Sequence, residues 1–357
     1  MRIERLWLTD FRNYESAELA PAPSGLTVVI GDNGGGKTNL LEGVGYLATL
    51  SSFRGAPSEA LVRVGCPRAV VRAAGERAGR SLLMEAEINP GGRNRVLVNR
   101  QPLRRARDLL GALRVSVFSP DDLALVKGGP GERRGLLDDA LVALHPRNDA
   151  LGGDVERVLR QRNTLLKQSG GRASPEVAAT LDVWDAKLSQ AGEELAAARE
   201  ELVAAIEPEV AKAYDQVAGT AAGVTFAYSR SWVGSLAAAL AAARTEDLRR
   251  GVTTVGPHRD DLALSIAGLP ARTQASQGEQ RSLALALRLG VHAVVSAATS
   301  TPPVLLLDDV FSELDDAHRA ALIAHLPTGQ AILTTAGDVP AEARPELTVR
   351  VHGGRIA

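Results

Sequence analysis

The sequence predicts an α/β protein: strand-and-helix patterns at both ends of the chain flank a long helical stretch, and a small antiparallel β region follows the first helix. Three observations carry this. The apolar run LTVVI (26–30) passes directly into a glycine-rich loop and then a helix. The apolar run VLLL (304–307) ends in paired aspartates. Buried parallel strands read as continuous apolar runs of this kind. Finally, Leu181, Trp184, Leu188, Ala191, Leu195, Ala198, Leu202 and Ala205 alternate three and four apart, which draws one apolar seam along a helix.

Taken in order, residues 2–11 and 26–30 read as strands, and Leu40, Leu41, Val44 and Leu47 share one face of the helix that follows. From about 60 to 118 come the short runs LVRVG, RAVVRAAG, SLLMEAEI and, after the turn NPGGRN, RVLVNR. They predict a small antiparallel sheet. FSPDDLALVKGGPGERRGLLDDAL (118–141) is a loop entering a helical stretch. Helices over 151–168 and 176–207 are separated by the breaker SGGRASP, form an antiparallel hairpin, and end at Pro208. An Ala-rich helix covers about 234–243. After GPHRDDL (256–262) the α/β pattern returns with LALSIAG, a helix from about 277, VLLLDDV, another helix, AILTT and a final strand pair.

Composition is that of an ordinary globular chain, 45% hydrophobic and 23% charged over 357 residues, long enough for two domains or one with a large insertion. Cys66 is the single cysteine, which excludes a disulfide framework and suits a reducing compartment. The stretch MRIERLWLTDFRNYE is too charged for a signal peptide, and the apolar runs fall short of the roughly 18 to 20 residues that span a bilayer. These features point to a cytoplasmic chain with no membrane partner. The net charge of −1 is unevenly spread: residues 54–134 hold 15 Arg and 1 Lys against 8 acidic residues, a net +8, leaving −9 elsewhere. A basic segment of this kind predicts a surface for a polyanion.

Gly31, Asp32, Asn33, Gly34, Gly35, Gly36, Lys37 and Thr38 match G-x-x-x-x-G-K-[ST] in full, after a strand and before a helix. Glycines at these places let backbone N–H groups curl around phosphate oxygens, and the helix N-terminus adds a favourable field. Lys37 is expected to neutralise phosphate and Thr38 to ligate Mg²⁺, which together imply a nucleoside triphosphate site. Asp308, at the end of its apolar strand, suits the metal side of such a site, and Asp309 stands where a base could orient water. In many related sites the second position is Glu; the shorter Asp predicts slow hydrolysis.

Ser276-Gln277-Gly278-Glu279-Gln280 opens an apolar helix and makes a second anion-ready terminus, although the same string also suits a plain helix cap. Phosphate loop, SQGEQ, Asp308-Asp309 and then Ser312-Glu313-Leu314-Asp315 is an order that resembles the ABC-type ATPases. In that family the serine-headed helix faces the γ-phosphate held by another copy. The resemblance therefore implies an isologous homodimer with Ser276, Ser312 and Asp315 at its seam.

Six blocks narrow the resemblance: LTDFRNY (8–14), GDNGGGKTNLLEG (31–43), FSPDDLALVKGGPGERRGLLD (118–138), GPHRDDL (256–262), SQGEQRSLALALRL (276–289) and LLLDDVFSELD (305–315). Nearly end to end, the chain resembles the RecF family of bacterial recombination mediators. This implies a P-loop ABC-type ATPase head with an antiparallel β subdomain and an inserted α-helical lobe. The head would take residues 1–125 plus 250–357, with the basic β subdomain at about 55–118, and the lobe residues 126–249. It also implies ATP and Mg²⁺ as cofactors, with Ser276 on the trans γ-phosphate beside Gln277 and Gly278. Asp308 would then hold metal, Asp309 would act as base, and Arg12 and Asn13 would lie beside the nucleotide. A weak ATPase would serve as a switch: ATP-dependent dimers would bind double-stranded and gapped DNA and act with RecR and RecO to load RecA in repair, recombination, replication and the SOS response.

Two departures stand out. Generic ABC ATPases carry a glutamine loop for which Gln101 comes too early, Ser116 occupying the expected place, and Thr334-Thr335 replace their switch histidine. For DNA phosphates the candidates are Arg54, Arg100, Arg104, Arg105, Arg107, Arg133 and Arg134. Aromatics make up only 3% of residues, which disfavours a stacking platform for single strands. GPHRDDL presents His258 and Arg259 either as a structural turn capped by Asp260 or as a DNA or signalling contact. A transporter-type cassette or an SMC-like architectural protein is the alternative reading. The missing glutamine and histidine count against the first, and an insertion only tens of residues long against the second.

Overall fold

The computed structural model describes residues 2–77, 79–299, 301–337 and 339–356. The strands are β1 (Arg2–Phe11), β2 (Tyr14–Leu19), β3 (Gly25–Gly31), β4 (Ala69–Arg77), β5 (Arg80–Ile88), β6 (Arg95–Val98), β7 (Gln101–Pro102) and β8 (Val115–Phe118). They continue as β9 (Val224–Ser229), β10 (Asp261–Ile266), β11 (Leu269–Pro270), β12 (Val304–Asp308), β13 (Gln330–Thr335), β14 (Leu347–His352) and β15 (Arg355–Ile356). The helices are α1 (Lys37–Thr49), α2 (Ser58–Leu61), α3 (Leu123–Lys127), α4 (Pro130–Leu144), α5 (Asp149–Gln168), α6 (Pro175–Ala218), α7 (Leu236–Arg250), α8 (Ala271–Gln274), α9 (Gln277–Ala298) and α10 (Asp316–Ala324).

The chain divides into two compact units. The first takes residues up to 123, 209–222 and 276 onward, and holds two six-stranded sheets. One is antiparallel, in the order β2-β1-β4-β5-β6-β7; the other runs β15-β14-β3-β13-β12-β8 with β14, β3, β13, β12 and β8 parallel. Strands β12 and β13 are buried along their whole length, which is why each has an apolar run, VLLL and AIL, with buried polar residues only at the strand ends. Helix α1 packs on both sheets through Leu40, Leu41, Val44 and Leu47, all at most 1% exposed. Each such side chain contributes roughly 1.5–3 kcal/mol. At Gly43 an added Cβ would stand 2.7 Å from a Leu8 side-chain methyl, so the missing side chain lets Leu8 of β1 pack directly on the α1 backbone. Helix α9 has the length and mean hydropathy of a membrane span, but Leu283, Leu287 and Ala286 along it are wholly buried in the protein core.

The second unit takes residues 124–208 and 223–275, and adds to its helices a small antiparallel sheet, β11-β10-β9. Helices α5 and α6 form the expected antiparallel hairpin: Leu166 clusters with Leu181, and Arg162 reaches Asp185. Arg162 is wholly buried and also pairs with Asp247.

Three expectations need correction. Helix α6 does not end at Pro208 but continues to Ala218. An internal proline costs about 3 kcal/mol, yet Ile206 and Val210 on either side are both fully buried, and packing holds the helix together. LVRVG (61–65) is no strand. Leu61 closes α2, Val62 makes one isolated bridge to Phe11, and Val64 is 98% exposed. The unit boundary falls at 275/276 rather than near 250, because β10 pairs with β9 and keeps GPHRDDL in the helical unit. Residues 209–222 join the first unit, where Val210 lies against Gly290 of α9.

Candidate nucleotide-binding site

Strand β3 delivers the chain into the loop 31–36, and α1 begins at Lys37. The loop needs left-handed backbone at Gly34 (φ 77°) and Gly36 (φ 116°), conformations that side chains other than glycine rarely adopt. A Cβ on Gly36 would also fall 2.7 Å from the Tyr14 hydroxyl and 2.8 Å from Asn13. Lys37 is 6% exposed and lies under its own loop, donating to the carbonyls of Gly31 (2.7 Å) and Asp32 (2.9 Å).

At the foot of the loop the Thr38 hydroxyl donates to Asp308 Oδ1 across 2.8 Å, and the Thr334 hydroxyl donates to the same oxygen across 2.7 Å. The three residues come from α1, β12 and β13. Burial pushes the Asp308 carboxyl above its ordinary range, against the pull of the two hydroxyls, and the adjacent Asp309 pushes it further. The charge of Arg54 acts weakly the other way on this carboxylate. Asp309 has left-handed backbone (φ 46°), and its N–H donates to the carbonyl and hydroxyl of Thr334. Aspartate is among the few non-glycine residues enriched in that conformation, a physical reason for Asp rather than Glu here.

Ser276 caps α9: its hydroxyl accepts from the Glu279 N–H, and Glu279 accepts from the Ser276 N–H across 2.7 Å. Ser276, Gln277 and Gly278 are exposed, and space around Gly278 is open. Within this chain the string is a capped, solvent-facing helix N-terminus. Ser312 bonds back to Asp309, and Asp315 caps α10 through the His318 N–H, which holds its carboxyl below the usual range. The FSPDD block is tied to α9 by Asp122, which accepts from Arg288 at 2.6 Å.

The structure separates Arg12 from Asn13. Asn13 donates to the Gly35 carbonyl and sits on the loop itself. Arg12 instead forms a bidentate pair with Glu42 (2.6 and 2.7 Å), a residue of α1 with no exposed surface, and also donates to the Ala60 carbonyl. It braces α1 from behind. Ser116, at the expected glutamine position, bonds His292 of α9 at 2.9 Å. Thr334, at the histidine position, touches Asp308; from sequence alone Thr334 was legible only as a departure.

The arginine candidates divide as well. Arg133 is 4% exposed, forms a bidentate pair with Asp261 and donates to the carbonyls of Leu125 and Gly128. Arg134 donates to the Asp260 carbonyl, and burial lowers its pKa. Burial and these partners close Arg133 off from a DNA phosphate, whereas Arg134 is half-buried and keeps part of its surface. Arg100, Arg104, Arg105 and Arg107 are exposed on and after the β6–β7 hairpin, Arg100 at its left-handed turn and Arg105 paired to Asp108. In GPHRDDL, Asp260 is buried and accepts from the Tyr228 hydroxyl and the Ser231 N–H, while His258 and Arg259 both bond the Thr253 carbonyl. Asp260 thus ties the segment to Tyr228 and Ser231 beyond the turn, and Arg259 stays exposed.

The description RecF/RecN/SMC N terminal domain matches residues 2–337. The chain is 46% identical to the DNA replication and repair protein RecF of Streptomyces avermitilis, over 95% of both chains. It is 48% identical to the protein of that name from Frankia alni, over 96% of both. The chain belongs to the RecF family. Its fold matches the solved structure of the recombination mediator protein RecF with ATP in the RecFOR pathway, with a TM-score of 0.91 at 27% identity, covering 100% of this chain and 97% of that one. An Smc head bound to the C-terminal winged-helix domain of ScpA shares the fold at a TM-score of 0.60 and 18% identity, covering 100% of this chain and 96% of that one. For this RecF-family chain the α/β P-loop ABC-type head is therefore shown.

Proposed function

We propose that this chain is an ATP-dependent DNA-binding protein of recombinational repair and replication-fork maintenance, a nucleotide-gated clamp on duplex or gapped DNA. The observation that carries the reading is the meeting of Thr38, Asp308 and Thr334 beneath a complete phosphate loop. The residues fit the cofactors. Thr38 and Asp308 present hard oxygen donors within hydrogen-bond distance of each other, the sparse protein set that Mg²⁺ takes when phosphate and water complete its shell. Mg²⁺ bound there would neutralise the charge that builds up on the phosphates.

The chain's own groups then have distinct tasks. Loop N–H groups and the α1 N-terminus hold the phosphates. Lys37 exchanges its two carbonyl partners for phosphate oxygens, and Thr334 keeps Asp308 aimed at Thr38. Asp309 orients the attacking water from a short side chain on constrained backbone, which supports slow hydrolysis and a switch rather than a motor.

The exposed, capped N-terminus of α9 supports the second half of the reading. Its open end suits the γ-phosphate held by a second copy, so two nucleotides would join two chains across a two-fold axis, with Ser276, Ser312 and Asp315 at the seam. The exposed arginines of the β6–β7 region then supply phosphate contacts to DNA. RecR, with RecO and RecA acting downstream, are the proposed protein partners, and the cytoplasm the compartment. Sedimentation with ATP tests this. The hydrolysis-impaired Asp309→Asn chain is expected to dimerise with ATP, and the Ser276→Arg chain to stay monomeric while binding ATP normally. An Asp309→Asn chain that binds ATP yet stays monomeric at every concentration would end the clamp model.

A further inference from the structure

Strand β14 pairs with β3 as far as Gly31, where β3 ends and the phosphate loop begins: Val351 pairs with Gly31, its carbonyl 2.1 Å from where a Gly31 Cβ would stand. The chain then reverses at Gly353 and Gly354, both left-handed (φ 53° and 75°), and β15 pairs back on β14. At this reversal the Gly354 N–H donates to the Gly35 carbonyl across 3.0 Å. The Asn13 side chain donates to the same carbonyl across 3.1 Å, and the Tyr14 hydroxyl donates to the next one, Gly36, across 2.9 Å.

A trans peptide points its C=O and the following N–H in opposite directions. Pinning the Gly35 carbonyl therefore aims the Gly36 N–H to the other side, and pinning the Gly36 carbonyl does the same for Lys37. A phosphate-binding concavity needs those N–H groups turned inward. We infer that the β14–β15 hairpin is a positioning element of the phosphate loop, acting with Asn13 and Tyr14 to hold the loop's amides toward a triphosphate through the Gly354 to Gly35 bond. Room for this contact exists only because residue 354 has no side chain: a Cβ there would lie 2.4 Å from the Asn13 carbonyl, a backbone atom that has nowhere to move cheaply.

The inference rests on the reading that the loop binds ATP. Its test compares Gly354→Ala with Gly353→Ala in the full chain. The second carries the same left-handed strain with nothing within 4 Å of its Cβ, so it controls for backbone conformation alone. Binding of fluorescent ATP is expected to weaken about tenfold or more in Gly354→Ala and to change less than about twofold in Gly353→Ala, with steady-state KM rising more than kcat falls. In the unmodified chain, ATP is expected to slow hydrogen exchange across 352–356 by about threefold or more. Equal affinities in the two variants, or exchange in 352–356 indifferent to ATP, would overturn the inference while leaving the ATP site intact. An unmodified chain that binds no ATP would overturn both.

Discussion

Thr38 donates its hydroxyl to the carboxylate of Asp308 across 2.8 Å, joining the start of α1 to the end of β12 over 270 residues of sequence. Burial raises the Asp308 pKa, so the folded protein binds this proton more tightly than the unfolded chain does. The ionised carboxylate thus weakens the metal-free fold above its folded pKa, and that loss is relieved as pH falls through it. Asp308→Asn keeps an oxygen for both hydroxyls and removes the charge. It is expected to raise the melting temperature without Mg²⁺ by roughly 1–3 °C and to abolish the further rise that Mg²⁺ with ATP gives the unmodified chain. Thermal melts with and without Mg²⁺ and ATP check both signs.

Arg12 braces α1 through its bidentate pair with Glu42. Removing it leaves the Glu42 carboxylate, which has no exposed surface, without its cation, although the Ser52 hydroxyl still donates to it. Arg12→Ala is expected to cost about 3 kcal/mol of stability, while ATP affinity measured well below the melting temperature stays within about threefold of the unmodified value. Urea unfolding followed by ATP titration separates the two; a large affinity loss at full stability would restore Arg12 to the nucleotide.

The arginines yield opposite expectations for neighbours in sequence. Truncating Arg100, Arg104 and Arg105 together is expected to leave the melting temperature unchanged and to reduce the salt dependence of DNA binding, by about 0.9 in logarithmic slope for each DNA phosphate no longer neutralised. Arg133→Ala is expected to destabilise the helical unit by uncovering Asp261, with no change of slope in protein that remains folded. DNA titrations at several salt concentrations report the slopes.

Burial pushes His292 down to about 4 from 6.5, with Ser116 bonded at one ring nitrogen and the other buried without a partner among the described residues. A depressed histidine pKa contributes stability in full above 6.5, and that contribution is lost as pH falls toward 4. His292→Leu is expected to flatten this limb of the stability profile, by up to an order of about 3 kcal/mol. Melts between pH 7 and 4 for the two chains show it; parallel profiles would place the acid sensitivity elsewhere.

The sequence by itself determined the elements and motifs whose information is local. The loop 31–38 could be read in full because its glycines and lysine act through their own backbone. The strand VLLL, ending in Asp308, was legible because a strand buried on both faces reads as a continuous apolar run. The hairpin α5–α6 was legible because its seam repeats every three or four residues. Only the tertiary structure decided what each polar side chain is bonded to. Arg100 and Arg133 are the same residue type in the same basic segment, yet one is exposed on a turn and the other closed on Asp261, far along the chain. Pro208 carries a strong stop signal that the buried neighbours Ile206 and Val210 override. Gly354 reads as an ordinary turn glycine until Gly35 and Asn13 are brought to it. Local periodicity records which face is dry, but a hydrogen-bond partner is set by whichever distant segment packs there, and the spacing of residues holds no record of that.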